Sequence, residues 1–398
     1  MSNSVNLTNL KKETSSVVAT QLNNAGSTNV TTFVTPPLVS GIRYACIPVW
    51  SILLFFGLFG NALTVFVLRA KRLQQSSTSF YLTVLAITDV LYLLTSLVAS
   101  IANFIFFFPS EVRQISNTFC VLTPFLHYTL AYISVWLLVA VTVERAIWVV
   151  LPFQARNICT KRTAKFVVVT IVSVFTLLDT HFFVTMRYIE VQPSYWSCST
   201  TYFADKVFPF LDLLFVAVLP CAIMLIANCL IGWKLRVMRK FRSGVAATST
   251  SNNNQGGSDK REKSTNLTRM LVSTNIFFIV SVTPLLIYDV VFFSVDVRAW
   301  AEEDEDVRGG MLFAIERLVY TLWYTNFAIH FLLYCLSGPP FRAEVLVIFN
   351  RLRDFCCCGS AQKQTMDKLE MNRSEIRATS ATNVGMTSRD TRTRVEIL

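Results

Sequence analysis

The sequence predicts an all-α membrane protein, a seven-transmembrane helix bundle followed by a short amphipathic eighth helix. The main observation is a series of apolar stretches, each near the roughly 20 residues that cross a hydrocarbon core of about 30 Å. Backbone groups in lipid must bond within their own segment, so each stretch is expected to be a helix. The stretches are Ile47–Leu68, Phe80–Phe108, Val121–Val143, Phe166–Met186, Val207–Trp233, Met270–Val295 and Met311–Leu336.

Positive charge is distributed unevenly between these stretches. Most basic residues lie in the first, third and fifth connecting segments, whereas the alternate segments hold few, among them Arg113 and Arg187. Because Lys and Arg are retained on the cytoplasmic side, we expect an extracellular N-terminus and a multi-pass protein of the plasma membrane. The net charge of +11 therefore indicates topology, and no nucleic-acid partner is expected.

The composition divides the chain into four regions. Residues 1–45 are polar and are expected to form a disordered extracellular tail, and residues 46–338 form the bundle. Residues 339–358 contain an apolar helical face that is expected to lie in the membrane interface beside a cysteine cluster. Residues 359–398 are expected to be a disordered cytoplasmic tail. This division leaves no length for a second folded domain. Membrane lipid is the partner expected for the bundle and the interfacial helix.

Several residues are candidates for covalent modification. Asn6 and Asn29 begin glycosylation sequons on the expected outside. Cys120 and Cys198 would face an oxidising compartment, so a disulfide between them is the leading interpretation. Cys356, Cys357 and Cys358 would lie inside beside the membrane, where palmitoylation competes with an unmodified turn as their interpretation.

Short motifs recur in a fixed order along the apolar stretches. They resemble the motifs of rhodopsin-like (class A) G-protein-coupled receptors, and the closing run Asn326–Tyr334 is most like invertebrate neuropeptide receptors of the FMRFamide-receptor kind. The motifs are Gly60-Asn61, Leu85-Ala86-Ile87-Thr88-Asp89, Glu144-Arg145-Ala146, Pro152, Pro220, Phe278 with Pro284, and Tyr334-Cys335-Leu336-Ser337-Gly338 before Phe341-Arg342.

The chain also departs from that family's pattern. Glu144-Arg145-Ala146 replaces Asp-Arg-Tyr, and His330 begins the motif that the family starts with Asn-Pro. Ser281-Val282-Thr283-Pro284 lacks the aromatic residue of the sixth span, and Asn228 stands where the family has tyrosine. Pro220 is expected to break the fifth span. The fold is expected to survive these differences, whereas switching details carry over less directly.

The resemblance implies a polar core and a G-protein switch. Polar groups inside a bilayer are costly and therefore suggest function. The core would hold a possible sodium ion, the one metal or cofactor expected, next to Asp89, although His330 could pair with Asp89 directly. In the family the arginine of the switch pairs with the neighbouring acid. The core residues are Asn61, Asp89, Ser134, Asn326 and His330, and the switch residues are Glu144, Arg145, Phe153 and Tyr334.

A ligand pocket is expected at the opposite end of the bundle from Arg145. His127 lies on the same face of the third span as Arg145, although an interhelical hydrogen bond would also explain it. Acidic side chains in the late spans, under an acidic loop at 296–306, favour a cationic ligand, unless that loop is merely solvated. The expected ligand-binding residues are His127, Asp212, Asp289, Glu316 and Tyr324.

These features lead to a receptor for a basic neuropeptide that activates a heterotrimeric G protein. His127 replaces the aspartate of amine receptors, and Tyr324 replaces the retinal-binding lysine of visual pigments. One alternative is a receptor of the same fold for a small non-peptide ligand, such as an odorant or a lipid. A transporter or channel is a further alternative. An enzyme is not expected, because no catalytic motif or metal-ligand cluster occurs.

Overall fold

The computed structural model describes residues 18–19, 33–34, 37–70, 76–107, 111–192, 195–246, 255–294, 305–339, 341–351 and 353. Asn6, Asn29, the cysteines at 356–358 and most of the acidic loop lie outside these residues, so their assigned roles stay predictions. Val18–Ala19 pairs antiparallel with Phe33–Val34. The first long helix then begins at Pro37, well before the predicted start at residue 46.

The predicted seven-helix bundle is confirmed. Two helices, Gly310–Ala328 and His330–Ser337, occupy the place of the predicted seventh span; Ile329 separates them, and the first carries Glu316 and Arg317. The sequence had predicted this span as one uninterrupted helix. Six other helices are long and apolar enough to span a membrane, namely Pro37–Leu68, Ser77–Phe106, Asn117–Val150, Lys161–Thr185, Phe203–Met238 and, within the helix Gln255–Ser294, Met270–Phe292.

The third span forms the centre of the bundle. Of its most apolar window, 61% is buried, compared with 22% for the fourth span, which therefore lies at the periphery. Large apolar side chains such as Phe55, Phe59 and Phe66 on the first span are more than half exposed. Their exposure would be unfavourable in water but suits contact with lipid.

Two glycines let the first span approach the seventh closely. A Cβ atom at Gly57 would lie 3.1 Å from the Cα of Ala328, and one at Gly60 would lie 2.9 Å from the Cβ of Phe331. Small residues at such positions allow helix backbones to meet in a membrane. This approach places the Asn61 amide 2.8 Å from the Phe327 carbonyl, just before the break at Ile329.

Pro220 does not break the fifth span, contrary to the prediction. A π-helical turn, Leu214–Val218, precedes it and the helix then continues over Leu219–Ala246. Proline lacks the N–H that would bond one turn back. The indole N–H of Trp136 donates to the Phe215 carbonyl at 3.0 Å. A side chain of the third span therefore supplies a hydrogen bond to a backbone carbonyl in this irregular turn.

A β-hairpin follows the fourth span. Met186–Gln192 pairs antiparallel with Tyr195–Thr200, and Tyr188 lies opposite Cys198. Beyond the bundle, a helix covers Phe341–Arg351. Phe341 and Ile348 of this helix are buried and Arg342 and Arg351 are exposed, but Phe349, which was predicted on the same apolar face, is 52% exposed.

Candidate functional site

A disulfide joins Cys120, at the start of the third span, to Cys198 in the hairpin, with their Cα atoms 5.5 Å apart. The predicted pairing is therefore present. The Tyr188 hydroxyl also donates to the Gln114 carbonyl at 3.0 Å, which fastens the hairpin to the segment before the third span. This end of the bundle is called the disulfide end below, and the end at Arg145 is called the arginine end.

The disulfide should contribute strongly to stability. It closes a loop of 78 residues, and removing a native disulfide costs about 2–5 kcal/mol in small domains. We expect Cys120→Ala and Cys198→Ala each to lower surface expression and the unfolding temperature. The double variant should be no worse than either single variant, because one bond is lost in all three. Cys46→Ala, at an unpaired cysteine, is the control. Additive losses would mean that the two cysteines act separately.

Two acidic residues at the disulfide end differ in their surroundings. Asp212 accepts a hydrogen bond from the Tyr132 hydroxyl at 2.7 Å. Asp289 is half-buried, and no hydrogen bond or ion pair engages it within the described part of the chain. Asp289 also lies within electrostatic range of both Asp212 and Glu316. The unpaired Asp289 carboxylate is thus the group best placed to attract a cation.

Glu316 is already paired, which the sequence analysis did not foresee. Its carboxylate forms an ion pair with Arg317, the next residue. The Arg317 guanidinium lies over the rings of Phe313 and Tyr320, at 5.2 and 5.5 Å from their centroids. Cation–π contacts of this kind hold a guanidinium against apolar surface. Glu316 therefore adds less negative charge to the pocket than predicted.

His127 and Tyr324 both bind the second span. The His127 Nδ1 atom lies 3.0 Å from the Ser96 hydroxyl, and the Tyr324 hydroxyl lies 2.8 Å from that of Ser100. The interhelical hydrogen bond considered for His127 is thus present. These contacts give both side chains a structural role in the arrangement described.

Asp179 is a buried carboxylate that the sequence analysis missed. It is completely buried, and its Oδ2 atom accepts a hydrogen bond from the Thr129 hydroxyl at 2.8 Å. Its charge also acts on Asp212. An acidic residue inside the fourth apolar stretch was the available signal, since such residues are costly in a membrane.

Two of the predicted core residues, Ser134 and His330, contact Asp89, which is completely buried. The Ser134 hydroxyl donates to Oδ1 of Asp89 at 2.5 Å, and the Nδ1 atom of His330 lies 2.7 Å from Oδ2. Asn326 accepts from the Ser281 hydroxyl at 2.6 Å. The Asn61 side-chain N–H₂ donates to the Phe327 carbonyl, and no hydrogen bond to Asp89 is formed by Asn61 or Asn326 among the described residues. Direct pairing of His330 with Asp89, left open by the sequence, is therefore observed.

The switch residues at the arginine end are joined through a threonine. Thr78 donates to the Glu144 carboxylate at 2.6 Å and accepts from the Arg145 guanidinium, while Ser77 also donates to Glu144 at 3.0 Å. Among the described residues no ion pair joins Glu144 to Arg145, so the expected direct pairing is wrong here. The physical reason is that hydroxyls of the second span occupy the space between the two charges.

The other two switch residues have opposite exposures. Phe153 is 92% exposed at the arginine end, as a residue that contacts a protein partner would be. Tyr334 is 1% exposed, and its ring stacks on that of His330 with centroids 6.0 Å apart. Tyr334 therefore packs against the polar core.

An uncharged link between three spans was not predicted. The Thr142 hydroxyl donates to the Asn275 side-chain oxygen at 3.0 Å. The Asn275 side-chain N–H₂ in turn donates to the Asn228 side-chain oxygen at 3.2 Å. We call these three residues the amide latch. Asn275 is only 1% exposed, so its bonds form away from competing water. The latch joins the third, fifth and sixth spans one turn from Arg145.

The comparisons agree with this architecture. The model of the 7 transmembrane receptor (rhodopsin family) matches residues 60–326. Lysophosphatidic acid receptor 6 of Mus musculus is 27% identical over 128 residues, 32% of this chain and 35% of the relative. The Homo sapiens receptor of that name is 27% identical over 124 residues, 31% of this chain and 34% of the relative. The chain thus spans about a third of the length of the curated relatives it matches.

Both relatives are named for a lipid, and neither is an invertebrate neuropeptide receptor. The family match covers most of the bundle and contains the polar core residues Asn61, Asp89 and Asn326 as well as Arg145. Proteins of this family are membrane receptors that couple an extracellular ligand to a G protein, and they are not enzymes. The chain belongs to the rhodopsin family of seven-transmembrane receptors.

Proposed function

We propose that this receptor binds a cationic neuropeptide at the disulfide end and activates a heterotrimeric G protein at the arginine end. The observation that carries the proposal is the half-buried Asp289 carboxylate, which lacks a partner among the described residues and lies in the field of Asp212. Leaving such a charge unpaired in a membrane is costly, so a ligand cation would stabilise it. The basic loops favour an extracellular N-terminus and disulfide end.

Aromatic side chains complete the proposed cation site. Tyr128 and Tyr320 both lie within electrostatic range of Asp289. Tyrosine rings stabilise an ammonium or guanidinium group through their faces, while a carboxylate supplies the counter-charge. An Arg or Lys side chain of a peptide has the reach and charge for such a pocket.

Signalling would follow from a two-state equilibrium of the bundle. Ligand binding favours one of two helix arrangements only to the extent that it binds that arrangement more tightly. In the proposed mechanism the sixth span moves about Pro284 and breaks the amide latch, which opens the surface around Arg145 and Phe153. The hydrogen bonds of the latch, rather than an ion pair between Glu144 and Arg145, then stabilise the resting arrangement of the helices.

Loss of the latch should raise basal signalling. Asn275→Leu keeps a similar volume but removes both hydrogen bonds, each worth about 0.5–1.5 kcal/mol. We expect basal binding of a non-hydrolysable GTP analogue in receptor-containing membranes to rise by about fivefold or more. Thr170→Val is the control, because Thr170 is exposed on the fourth span and its hydroxyl donates to the Phe166 carbonyl of its own helix. Unchanged basal binding in the Asn275 variant would contradict this role.

A second candidate is a receptor for a small anionic lipid. The names of the two relatives favour it, and Arg317 at the disulfide end offers a guanidinium held over aromatic rings. The two candidates make opposite predictions for single substitutions. Arg317→Gln should abolish the response to an anionic lipid, whereas Asp289→Asn should abolish the response to a cationic peptide.

The experiment that tests the proposed function is a ligand screen in cells. Cells expressing the receptor would be exposed to a library of basic and acidic neuropeptides and, separately, to lysophosphatidic acid. Calcium and cyclic-nucleotide responses would be compared with those of cells expressing the Arg145→Ala variant. Responses confined to peptides with Arg or Lys would support the proposal. A response to lysophosphatidic acid alone would favour the lipid alternative.

A further inference from the structure

We infer that the intramembrane Asp89 site binds no sodium ion, because the His330 side chain permanently takes the position of the cation. The family resemblance implies sodium at this site. The residues present do not fit the ion, for three reasons that concern the carboxylate, the neighbouring oxygens and the cavity.

Both oxygens of the Asp89 carboxylate already have partners. Oδ1 accepts from Ser134 at 2.5 Å, and Oδ2 faces the Nδ1 atom of His330 at 2.7 Å. When the Asp89 carboxylate is ionised, as a sodium site requires, it has no hydrogen to donate, and Nδ1 is then the donor in this contact. The imidazole therefore directs an N–H at the oxygen that a metal ion would need. A cation placed there would meet the positive end of that bond.

Of the amide oxygens in the polar core, that of Asn326 is engaged, whereas that of Asn61 has no hydrogen-bond partner among the described residues. Hard cations require several oxygen ligands in one shell. The Asn326 side-chain oxygen accepts from Ser281 at 2.6 Å, which leaves its amide N–H₂ as the group without a partner. One unengaged amide oxygen, Oδ1 of Asn61, does not by itself supply such a shell.

The adjoining cavity does not open onto the carboxylate. It has room for about one water molecule, and Asp89 and Asn61 are not among its lining residues. Most of its wall is apolar, so it offers few ligands to a hydrated ion. The lining residues are Ser134, Val135, Leu138, Phe278, Asn326, Phe327 and His330.

The consequence is a core that is closed by its own side chains. His330 ties the seventh span to the second through Asp89, and Ser134 ties the third span to the same carboxylate. The Tyr334 ring stacks on the His330 ring. The stability of the resting bundle is therefore independent of the sodium concentration, unlike that of a bundle in which an exchangeable ion supplies this link.

The unfolding temperature of the purified full chain in detergent tests this inference without any ligand or G protein. It would be measured in sodium chloride and in N-methyl-D-glucamine chloride at equal ionic strength. We expect the same temperature in both salts for the unmodified protein. His330→Asn, which supplies an amide oxygen in place of the imidazole, should acquire a sodium-dependent increase of roughly 2 °C. His330→Gln is the second variant in case the first does not fold.

Two controls define the origin of any sodium effect. His181→Asn makes the same substitution at the disulfide end and should leave the protein insensitive to sodium. Adding Asp89→Asn to His330→Asn should remove the acquired sensitivity, because the carboxylate is the charged ligand. The inference is overturned if sodium stabilises the unmodified protein and Asp89→Asn abolishes that effect. It is also overturned if folded His330 variants gain no sensitivity. Neither result depends on which ligand the receptor binds.

Discussion

Arg145→Ala should abolish agonist-stimulated nucleotide exchange on a heterotrimeric G protein while leaving agonist binding largely unchanged. Arg145 is 7% exposed and donates to Thr78, which also binds Glu144. In the active arrangement the guanidinium is expected to leave Thr78 and meet the G protein, so its removal deletes the contact that communicates the change. The proposed ligand pocket lies at the opposite end of the bundle. Binding of a radiolabelled agonist and exchange on the G protein would be measured on the same membranes.

Arg162→Ala is the matched control for that experiment. Arg162 is exposed at the start of the fourth span, so the substitution removes the same charge from the same side of the membrane. Its exchange activity should stay close to that of the unmodified receptor. Full exchange by the Arg145 variant would show that the switch of this family does not operate through Arg145 in this chain.

Asp289→Asn should weaken the affinity for a cationic agonist by about 2–5 kcal/mol, as expected when one partner of a buried charge pair is lost. Asp289 is half-buried and lies in the field of Asp212, so a ligand cation there would be largely removed from water. The measurement is competition binding with the agonist and with an analogue in which citrulline replaces its Arg. The substitution and the analogue should not weaken binding additively if the two groups contact each other.

The control for Asp289→Asn is a substitution at an acidic residue near the start of the fifth span that already forms an ion pair. Asp205 lies 3.0 Å from Lys206 and is partly exposed, so Asp205→Asn should change affinity by less than about 1 kcal/mol. Equal losses for both variants would indicate a general effect of net charge. An unchanged affinity for Asp289→Asn would exclude this carboxylate from the binding site.

The parts of this structure that depend on chain length and spacing were predictable from the sequence. Bilayer thickness fixes the length of an apolar helix, so the spans were recognised to within a few turns. Cys120 and Cys198 were identified because both fall in segments on the same expected side. Ser134 and His330 were placed beside Asp89 because the family resemblance assigns those positions to one core, and both contacts are present.

The parts that depend on side-chain competition were not predictable. Glu316 was expected to bind a ligand cation, but it forms an ion pair with its neighbour Arg317. Arg145 was expected to pair with Glu144, but the Thr78 hydroxyl lies between them. Sequence patterns give the positions of charged groups along the chain. They do not determine which of several donors within reach makes the bond.

Backbone irregularities escaped the sequence analysis for a related reason. Pro220 was expected to break its helix, but a π-helical turn and the indole of Trp136 compensate for the missing N–H. The interruption at Ile329 lies next to the close approach of Gly57 to Ala328, a contact between residues far apart in the chain. Such compensation arises from tertiary contacts, and no local pattern in the sequence reports it.

The measurement that bears most directly on a receptor for a cationic ligand is nucleotide exchange by the purified chain reconstituted with a heterotrimeric G protein. An Arg- or Lys-containing agonist from the peptide screen would be compared with its neutral citrulline or norleucine analogue and with lysophosphatidic acid. We expect the cationic peptide to accelerate exchange and the neutral analogue to need a concentration at least about tenfold higher, equivalent to about 1.4 kcal/mol. Equal potency of the peptide and its neutral analogue, or acceleration by lysophosphatidic acid alone, would contradict the account.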